Sequence, residues 1–215
     1  MSLRVVVEGQ GDRDAIPVLV AKVKHKLDIS DLPHIPRDGG VWVQQLNSDK
    51  GRGGLRIEAM CELHRRRAPS ALLITQDSED TCPRDHAPEV AGWIRPLDLP
   101  FPVAVVFFYR EYETIFLAAA ETLRGARLRG IVDRSGLPES AVHLGDPEQA
   151  RDAKGWMSER LGRRYVETID QEAFTRALDL DDSGLRALSS YRRLVSGLRY
   201  LAAHAASGER GKVYP

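Results

Sequence analysis

The sequence predicts an α/β protein with a mostly parallel sheet flanked by helices, followed by a helical C-terminal extension. Its first half alternates short apolar runs with amphipathic segments, and the runs lack the polar alternation of a half-exposed strand. Strands of that kind are buried on both faces, which favours parallel pairing with helices on either side. We predict four of them, Leu3–Val7, Val41–Leu46, Ala71–Thr75 and Val103–Tyr109.

The segments between these strands have helical patterns. Pro17 falls in the first turns of the first helix, where a missing backbone N–H costs least. A glycine-rich loop precedes the second helix. The predicted helices are Asp12–Lys26, Leu55–Arg66, one containing Glu89–Ile94, and Tyr112–Leu123.

After residue 125 the pattern predicts helices and no strands. The expected helices are Glu148–Leu161, Gln171–Leu178 and Ser189–Ala206, separated by Gly-Leu-Pro and Gly-Asp-Pro turns. We therefore divide the chain into an α/β core over residues 1–125 and a helical part over residues 126–215 that packs on it.

The composition narrows the classes of function. Lys+Arg and Asp+Glu both number 31, so the formal net charge is zero, which argues against a protein that binds nucleic acid by bulk charge alone but leaves local basic faces open. Two cysteines cannot form a disulfide framework and fit a reducing compartment. The longest uncharged stretch, Leu99–Tyr109, is too short to cross a bilayer. We expect a soluble, cytoplasmic protein without a membrane partner.

Acidic residues follow three of the four predicted strands. Glu8 follows the first strand, Asp77 with Glu79 and Asp80 follows the third, and Glu111 with Glu113 follows the fourth. Ligands of open parallel sheets bind outside the carboxyl ends of the strands. If these strands are neighbours, their carboxylates converge at one edge of the sheet.

Converging carboxylates raise one another's pKa unless a cation neutralises them. Mg²⁺ and Mn²⁺ prefer oxygen ligands and commonly bridge to phosphates, which points to phosphodiester chemistry. Taken singly, each acid has a simpler explanation, because acidic residues after strands often cap helices or occupy turns. The sequence contains no P-loop, and Asp14 stands where a dinucleotide-binding turn needs its third glycine.

These acidic motifs resemble Toprim, the metal-binding module of topoisomerases, primases and related nucleases. That pattern is a glutamate after the first strand, matched by Glu8, and an Asp-x-Asp after a later strand, matched imperfectly by Asp77 with Glu79 or Asp80. More specifically, the chain resembles an uncharacterised bacterial family of unknown function that is grouped with Toprim. The motifs that carry this likeness over nearly the whole chain are Glu8-Gly9-Gln10-Gly11-Asp12, Asp77-Ser78-Glu79-Asp80-Thr81-Cys82-Pro83, Arg110-Glu111-Tyr112-Glu113, Ala153-Lys154-Gly155-Trp156, Asp170-Gln171 and Ser189-Ser190-Tyr191-Arg192-Arg193-Leu194.

The resemblance implies a Toprim-like, Rossmann-like fold and an Mg²⁺ or Mn²⁺ site. By analogy, Glu8 is an acid/base group or a metal ligand, and Asp77 and Asp80, or Glu79 in place of Asp80, are metal ligands. Glu111 and Glu113 would add ligands or support them. The catalytic candidates are Glu8 and Asp77, and the candidate substrate-binding cations are Lys154 and Arg110.

Other residues have competing interpretations. Cys61, His64, Cys82 and His86 have spacings compatible with a Cys₂His₂ zinc site, although the gap between the two pairs fits no zinc module. The arginines Arg192, Arg193 and Arg199 on a late helix are either a nucleic-acid contact or a solvated face.

We expect a Mg²⁺-dependent phosphodiesterase or nuclease that acts on nucleic acid, in phage defence or DNA processing. Two alternatives stay open at this point. One is a non-catalytic metal-binding or partner-binding module that works with a P-loop ATPase. The other is a hydrolase of small phosphoesters, for which a neutral surface is sufficient.

Overall fold

A computed structural model of the chain describes residues 1–36, 41–43, 53–129 and 134–215. The strands are β1 (Leu3–Val7), β2 (Val41–Val43), β3 (Ala71–Asp77), β4 (Val103–Phe108), β5 (Arg127–Leu128), β6 (Arg134–Ser135) and β7 (Val213–Tyr214). The helices are α1 (Gln10–Lys26), α2 (Gly53–Arg67), α3 (Pro83–Ile94), α4 (Thr114–Ala118), α5 (Ala153–Leu161), α6 (Glu172–Ala177), α7 (Ser183–Ala187) and α8 (Ser189–Ala205). Short 3₁₀ turns cover Arg95–Leu97 and Pro147–Gln149, and a π-turn covers Glu167–Gln171.

The main sheet has five strands in the order β2-β1-β3-β4-β7, and every pair of neighbours is parallel. This confirms the predicted α/β class and the parallel sheet flanked by helices, and it is consistent with a Rossmann-like fold. The strands that carry the acidic motifs, β1, β3 and β4, are direct neighbours.

Successive residues of each strand point to opposite faces of the sheet, so one apolar run supplies two cores. In β3, Leu73 packs in the core beneath α1 and α8, whereas Leu72 and Ile74 pack in the core beneath α2 and α3. Both cores are closed by buried helical side chains, for example Leu19 of α1 on one face and Val90 of α3 on the other. The absence of polar alternation in the sequence follows from this double burial.

Several element boundaries differ from the sequence predictions. The third strand extends to Asp77 itself, and β2 is described for Val41–Val43 only, so the rest of the predicted strand to Leu46 lies outside the described residues. The helix predicted for Glu148–Leu161 is broken, because the Asp152 side chain accepts a hydrogen bond from the Gly155 N–H (2.7 Å) and begins a new helix there.

The helix predicted for Tyr112–Leu123 is also shorter than expected. Regular helix ends at Ala118, and the chain continues in turns toward the antiparallel pair β5–β6. Leu123 and Leu137 are joined by a backbone hydrogen bond of 3.1 Å, and Gly125 turns the chain in the left-handed region with φ of 62°. A connection to a distant segment therefore replaces the last turn of the helix.

The expectation that the chain has no strands after residue 125 is wrong. β7 extends the main sheet beside β4, and β5 pairs with β6. Strands of two residues are too short to show any period in a sequence. The predicted helices of this region are present as α5, α6 and α8, and α8 packs directly on β4.

Candidate functional site

The first two acidic strand ends lie side by side. Glu8 follows β1 directly, and Asp77 is the last residue of the neighbouring strand β3. The Asp77 backbone N–H donates a hydrogen bond to Oε2 of Glu8 at 3.2 Å. The parallel register of the two strands therefore brings these carboxylates to the same edge of the sheet.

The loops that follow β3 and β4 continue that edge as a hydrogen-bonded rim. Ser78 N–H donates to the Phe108 carbonyl (2.9 Å), the Ser78 hydroxyl accepts from Arg110 N–H (2.8 Å), and Glu79 N–H donates to the Arg110 carbonyl (3.0 Å). Glu79 and Arg110 both adopt left-handed backbone conformations, with φ of 49° and 61°. Such conformations persist in non-glycine residues only where the surroundings fix them, and they cluster at functional sites.

The Asp77 side chain is fixed from the fourth strand. Its Oδ1 accepts a hydrogen bond from the backbone N–H of Tyr112 at 2.9 Å. Burial, together with the neighbouring carboxylates of Asp12 and Glu113, raises the pKa of Asp77 well above its ordinary value. The hydrogen bond from Tyr112 thus fixes the orientation of the Asp77 side chain. Burial and the neighbouring carboxylates disfavour its ionised form.

The N-terminus of α1 contributes a further carboxylate, Asp12. Its two oxygens accept hydrogen bonds from the Gly9 backbone N–H (3.1 Å) and from Nε2 of Gln171 (2.6 Å). Burial raises the pKa of Asp12 even though both of these hydrogen bonds lower it. Asp12 thus joins the first strand end to a segment far along the chain.

That segment is the π-turn Glu167–Gln171, which packs against the start of α1. A Cβ atom added to Gly11 would lie 2.0 Å from Oε1 of Gln171 and 2.9 Å from Cβ of Glu167. The absence of a side chain at residue 11 therefore allows the close contact. Single π-turns occur frequently at functional sites, because they change which side chains point inward.

Lys154, near the start of α5, supplies the positive charge. Its Nζ lies 2.9 Å from Oε1 of Glu167 and 3.8 Å from Oε2 of Glu113. Burial alone lowers the pKa of Lys154, but the carboxylates of Glu113 and Glu167 outweigh burial and raise that pKa. Lys154 is accordingly a permanent cation among the acidic groups.

Glu113 is the most deeply buried of these carboxylates, with 1% of its surface exposed. Neither of its side-chain oxygens has a hydrogen-bond partner, although they are buried next to the Tyr165 hydroxyl. Burial raises the pKa of Glu113 to about 7, and the nearby ammonium of Lys154 opposes that rise. A buried, unsatisfied carboxylate of this kind is destabilising and calls for a specific explanation.

We call the space bounded by these groups the inner cleft. It has a volume of about 230 Å³ and is lined by Glu8, Gly9, Asp12, Asp77, Glu79, Glu113, Lys154, Glu167 and Gln171. Six carboxylates thus face one ammonium group. The excess of negative charge is the dominant electrostatic feature of the cleft.

An adjoining outer pocket of about 310 Å³ shares Asp77, Glu79 and Lys154 with the inner cleft and adds Asp80, Arg110, Glu111 and Arg151. Asp80 is 84% exposed, and its Oδ1 accepts hydrogen bonds from Arg110 (3.0 Å) and Arg151 (3.3 Å). The outer pocket is therefore more cationic than the inner cleft.

The structure brings together most of the residues that the sequence singled out. Glu8, Asp77, Glu79 and Glu113 line the inner cleft, while Asp80, Glu111 and Arg110 line the outer pocket. Lys154 lies in both. Within the described ranges, no group of three or more acidic, histidine or cysteine side chains could hold a metal ion as it stands. Ion binding would require some of these side chains to rotate.

Four contributors to the site were not singled out as site residues. Asp12 and Gln171 lie inside quoted motifs but had no assigned role, and Glu167 and Arg151 had none either. The Gly-Gln-Gly-Asp run after β1 was a usable signal for Asp12, because its glycines allow a close approach. The π-turn has no sequence signature, so Glu167 and Gln171 could not be placed.

The zinc alternative receives no support from the described residues. Cys61 is buried in the core beneath α2, and burial raises the pKa of its thiol to about 12, which opposes the thiolate that a metal requires. His86 is engaged elsewhere, with its Nδ1 2.9 Å from Oε2 of Glu89 and its ring against Phe107.

Comparisons of the chain with models of known families, with curated proteins and with solved structures find no match. None of the helices in the described part of the chain combines the length and apolar character needed to cross a bilayer. The interpretation of the site therefore depends on its own geometry and on the motif resemblance.

Proposed function

We propose that the protein is a Mg²⁺-dependent phosphodiesterase of Toprim-like type that acts on nucleic acid, with the inner cleft as its metal site. The observation that carries this proposal is Glu113, a buried carboxylate without a hydrogen-bond partner that lines the cleft beside Asp77. A divalent cation would supply the missing partner.

The negative charge of the cleft favours the binding of a divalent cation in addition to Lys154. Burial raises the pKa values of Asp12, Asp77 and Glu113 together, which means that the cleft resists holding all of its carboxylates ionised. Nζ of Lys154 lies 2.9 Å from Oε1 of Glu167, within hydrogen-bond distance, but 3.8 Å from Oε2 of Glu113. One ammonium therefore leaves the deepest carboxylate without adequate compensation.

The donor chemistry of the cleft also fits. Its side chains offer carboxylate and amide oxygens, with no thiolate or imidazole among them, and such a set suits a hard cation such as Mg²⁺ or Mn²⁺. Glu8, Asp77 and Glu113 would hold the ion. When bound there, it would polarise a phosphoryl oxygen and lower the pKa of an attacking water.

The outer pocket supplies the binding site for the phosphate. Arg110, Arg151 and Lys154 line it, and planar guanidinium groups suit bidentate contacts with phosphate oxygens. Asp80 occupies both arginines in the structure, so a phosphate would compete with Asp80 for them. Glu8, which accepts the Asp77 N–H, lies at the inner end of this path, where it would act as a ligand of the ion.

One observation favours a non-catalytic alternative. Lys154 already forms an ion pair within the cleft, so the acidic cluster could be a structural element without a metal. The protein would then act as a partner-binding module, for instance with a P-loop ATPase. A metal-free cleft predicts no heat of binding for divalent cations, whereas the phosphodiesterase requires it.

The test is a titration of the purified protein with Mn²⁺ by calorimetry, followed by cleavage assays on single-stranded and duplex oligonucleotides and on small phosphodiesters. We expect saturable binding and cleavage of the polymers, both lost in Glu113→Gln. Glu159→Gln is the matched control, because Glu159 is an exposed acid on α5 outside the cleft. A wild-type protein that binds no divalent cation would refute the proposal, and cleavage of small esters alone would exclude a nucleic-acid substrate.

A further inference from the structure

A groove on the helical face of the molecule carries a cluster of arginines that the acidic site does not use. The groove has a volume of about 410 Å³ and lies where the end of α1 meets α7 and α8. Lys26 follows Asp12 on α1 by almost four helical turns, about 21 Å along the axis. The groove is therefore separate from the inner cleft.

Three guanidinium groups on this groove are available for a ligand. Arg186 on α7 and Arg192 and Arg199 on α8 are exposed and line the groove. Within the described part of the chain, none of their side chains forms a hydrogen bond or a salt bridge. By contrast, Lys26, also on the groove, forms an ion pair with Asp181. The groove consequently has an excess of uncompensated positive charge on a protein whose net charge is zero.

Arg193, the neighbouring arginine on α8, does not line the groove. Arg193 points the other way, donates to the Pro215 carbonyl (2.6 Å) and lies over the Tyr214 ring (5.1 Å). It stabilises the end of the chain beside β7. Of the three arginines singled out on this helix, Arg192 and Arg199 thus face the groove, whereas Arg193 has a structural role.

The spacing of the free arginines fits a chain of phosphates better than one phosphate. Arg192 and Arg199 are two helical turns apart, about 10 Å along α8. A nucleic-acid strand carries one phosphate per nucleotide, so two forks this far apart would contact different phosphates of the same strand. A single phosphate would need the forks to converge on one point.

The floor of the groove between the arginines is apolar. Leu27, Leu180 and Val195 line it together with Tyr191, which is buried. A depression with a cationic rim and an apolar floor suits one strand, with its phosphates on the rim and its sugars or bases toward the floor. A duplex presents a wide convex surface that would contact the rim alone.

We infer that the groove formed by Arg186, Arg192 and Arg199 binds the sugar–phosphate backbone of a single-stranded nucleic acid. The inference deepens the proposed function by giving the polymer a binding surface remote from the metal cleft. The inference rests on the proposed function only for the biological role of this binding. The contacts between the arginines and the phosphates need no metal ion.

The experiment measures binding of a fluorescently labelled single-stranded oligonucleotide by anisotropy, in EDTA, over a range of salt concentrations. Each of R186Q, R192Q and R199Q is expected to weaken binding and to reduce the slope of log K against log[salt] by about 0.7. Arg84→Gln is the matched control, because Arg84 is exposed on α3 across the sheet and should leave the slope unchanged. Thermal unfolding confirms that each variant is folded.

Three results would overturn the inference. They are an unchanged slope in all three groove variants, tighter binding of a duplex than of a single strand, and displacement of the oligonucleotide by inorganic phosphate at comparable concentration. Because EDTA removes divalent cations, the result is independent of the metal cleft. Groove binding without any cleavage would count against the proposed function alone, whereas cleavage that survives in the groove variants with unchanged binding would count against the groove alone.

Discussion

Nζ of Lys154 lies 3.8 Å from Oε2 of Glu113, beyond hydrogen-bond distance, while the same ammonium contacts Oε1 of Glu167 at 2.9 Å. The lysine is thus shared unequally between the half-buried Glu167 and the fully buried Glu113. Glu113 keeps both oxygens without a hydrogen bond in a position where water has almost no access. The stability of the metal-free protein should therefore depend on the ionisation of Glu113.

Replacing Glu113 by Gln should stabilise the metal-free protein at alkaline pH. The pKa of Glu113 is about 7 in the folded protein and 4.5 when unfolded. A raised carboxyl pKa lowers stability as pH rises from 4.5 to about 7, by up to about 3 kcal/mol. Denaturation in EDTA should show E113Q to be more stable than wild type at pH 8 and nearly equal at pH 4.5. Equal stability of the two proteins at pH 8 would contradict the burial argument.

Replacing Lys154 by Met should have the opposite effect and make the protein dependent on added metal. Without the ammonium, Glu113 and Glu167 lose their cationic partner, and we expect the metal-free variant to be about 1–2 kcal/mol less stable at pH 8, because solvent screens the partly exposed Lys154 and Glu167. Mg²⁺ or Mn²⁺ should then raise the melting temperature of K154M more than that of wild type. A metal-induced shift no larger than that of wild type would show that Lys154 and the ion do not compensate the same carboxylates.

Gly11 tests the close contact between α1 and the π-turn. An alanine Cβ there would collide with Gln171 and Glu167, so G11A should displace the amide that holds Asp12 and cost about 1–3 kcal/mol. Gly92 in α3 is the control, because a Cβ there would meet nothing within 4 Å. G92A should therefore be neutral or raise stability by up to about 1 kcal/mol. Similar melting temperatures for the two variants would argue against the packing described.

The sequence could predict those parts of the site that depend on regular strand patterns. The apolar runs of β1, β3 and β4 determine a parallel sheet, and residues at their carboxyl ends must share an edge, so Glu8, Asp77 and Glu113 could be brought together. The outer arrangement of Asp80 with Arg110 and Arg151 depends on side-chain directions in two loops with left-handed residues. No periodic pattern encodes those directions.

The contribution of the distant segments was beyond sequence reasoning for a different reason. Asp12 and Gln171 are joined by a hydrogen bond across 159 positions of the chain, and that contact exists because Gly11 allows the π-turn to approach. The strand β7 is equally hidden, since its two residues are held by pairing with β4 rather than by their own pattern. In both cases tertiary packing determines the local structure.

Asp170, a buried residue of the π-turn, lies at the centre of an ion cluster that gives a prediction about acid stability. Arg163 contacts both oxygens of Asp170 (2.7 and 2.9 Å), Arg134 adds a contact at 3.0 Å, and the Val166 N–H donates at 2.8 Å. Burial alone would raise the pKa of Asp170, but these donors outweigh it and lower the pKa below its ordinary value of 3.8. The stabilisation is therefore present above pH 3.8 and is lost as the pH falls through the folded-state pKa.

Asp170→Asn should accordingly lower the free energy of unfolding by about 3 kcal/mol at pH 7, and the difference from wild type should shrink in strong acid. Asp181→Asn is the control, because its ion pair with Lys26 is exposed and should contribute less than about 1 kcal/mol. Urea denaturation at pH 7 and in strong acid measures the free energies of unfolding of the wild type and both variants. A D170N protein as stable as D181N at pH 7 would show that the cluster is not stabilising.

The most direct test of the proposed metal site is anomalous scattering from a crystal soaked with Mn²⁺. The proposed function predicts a peak in the inner cleft, within ligand distance of carboxylate oxygens from Asp77 and at least one of Glu8 and Glu113. A fully ordered cleft in which Lys154 and the carboxylates are resolved and no anomalous peak is present would contradict it.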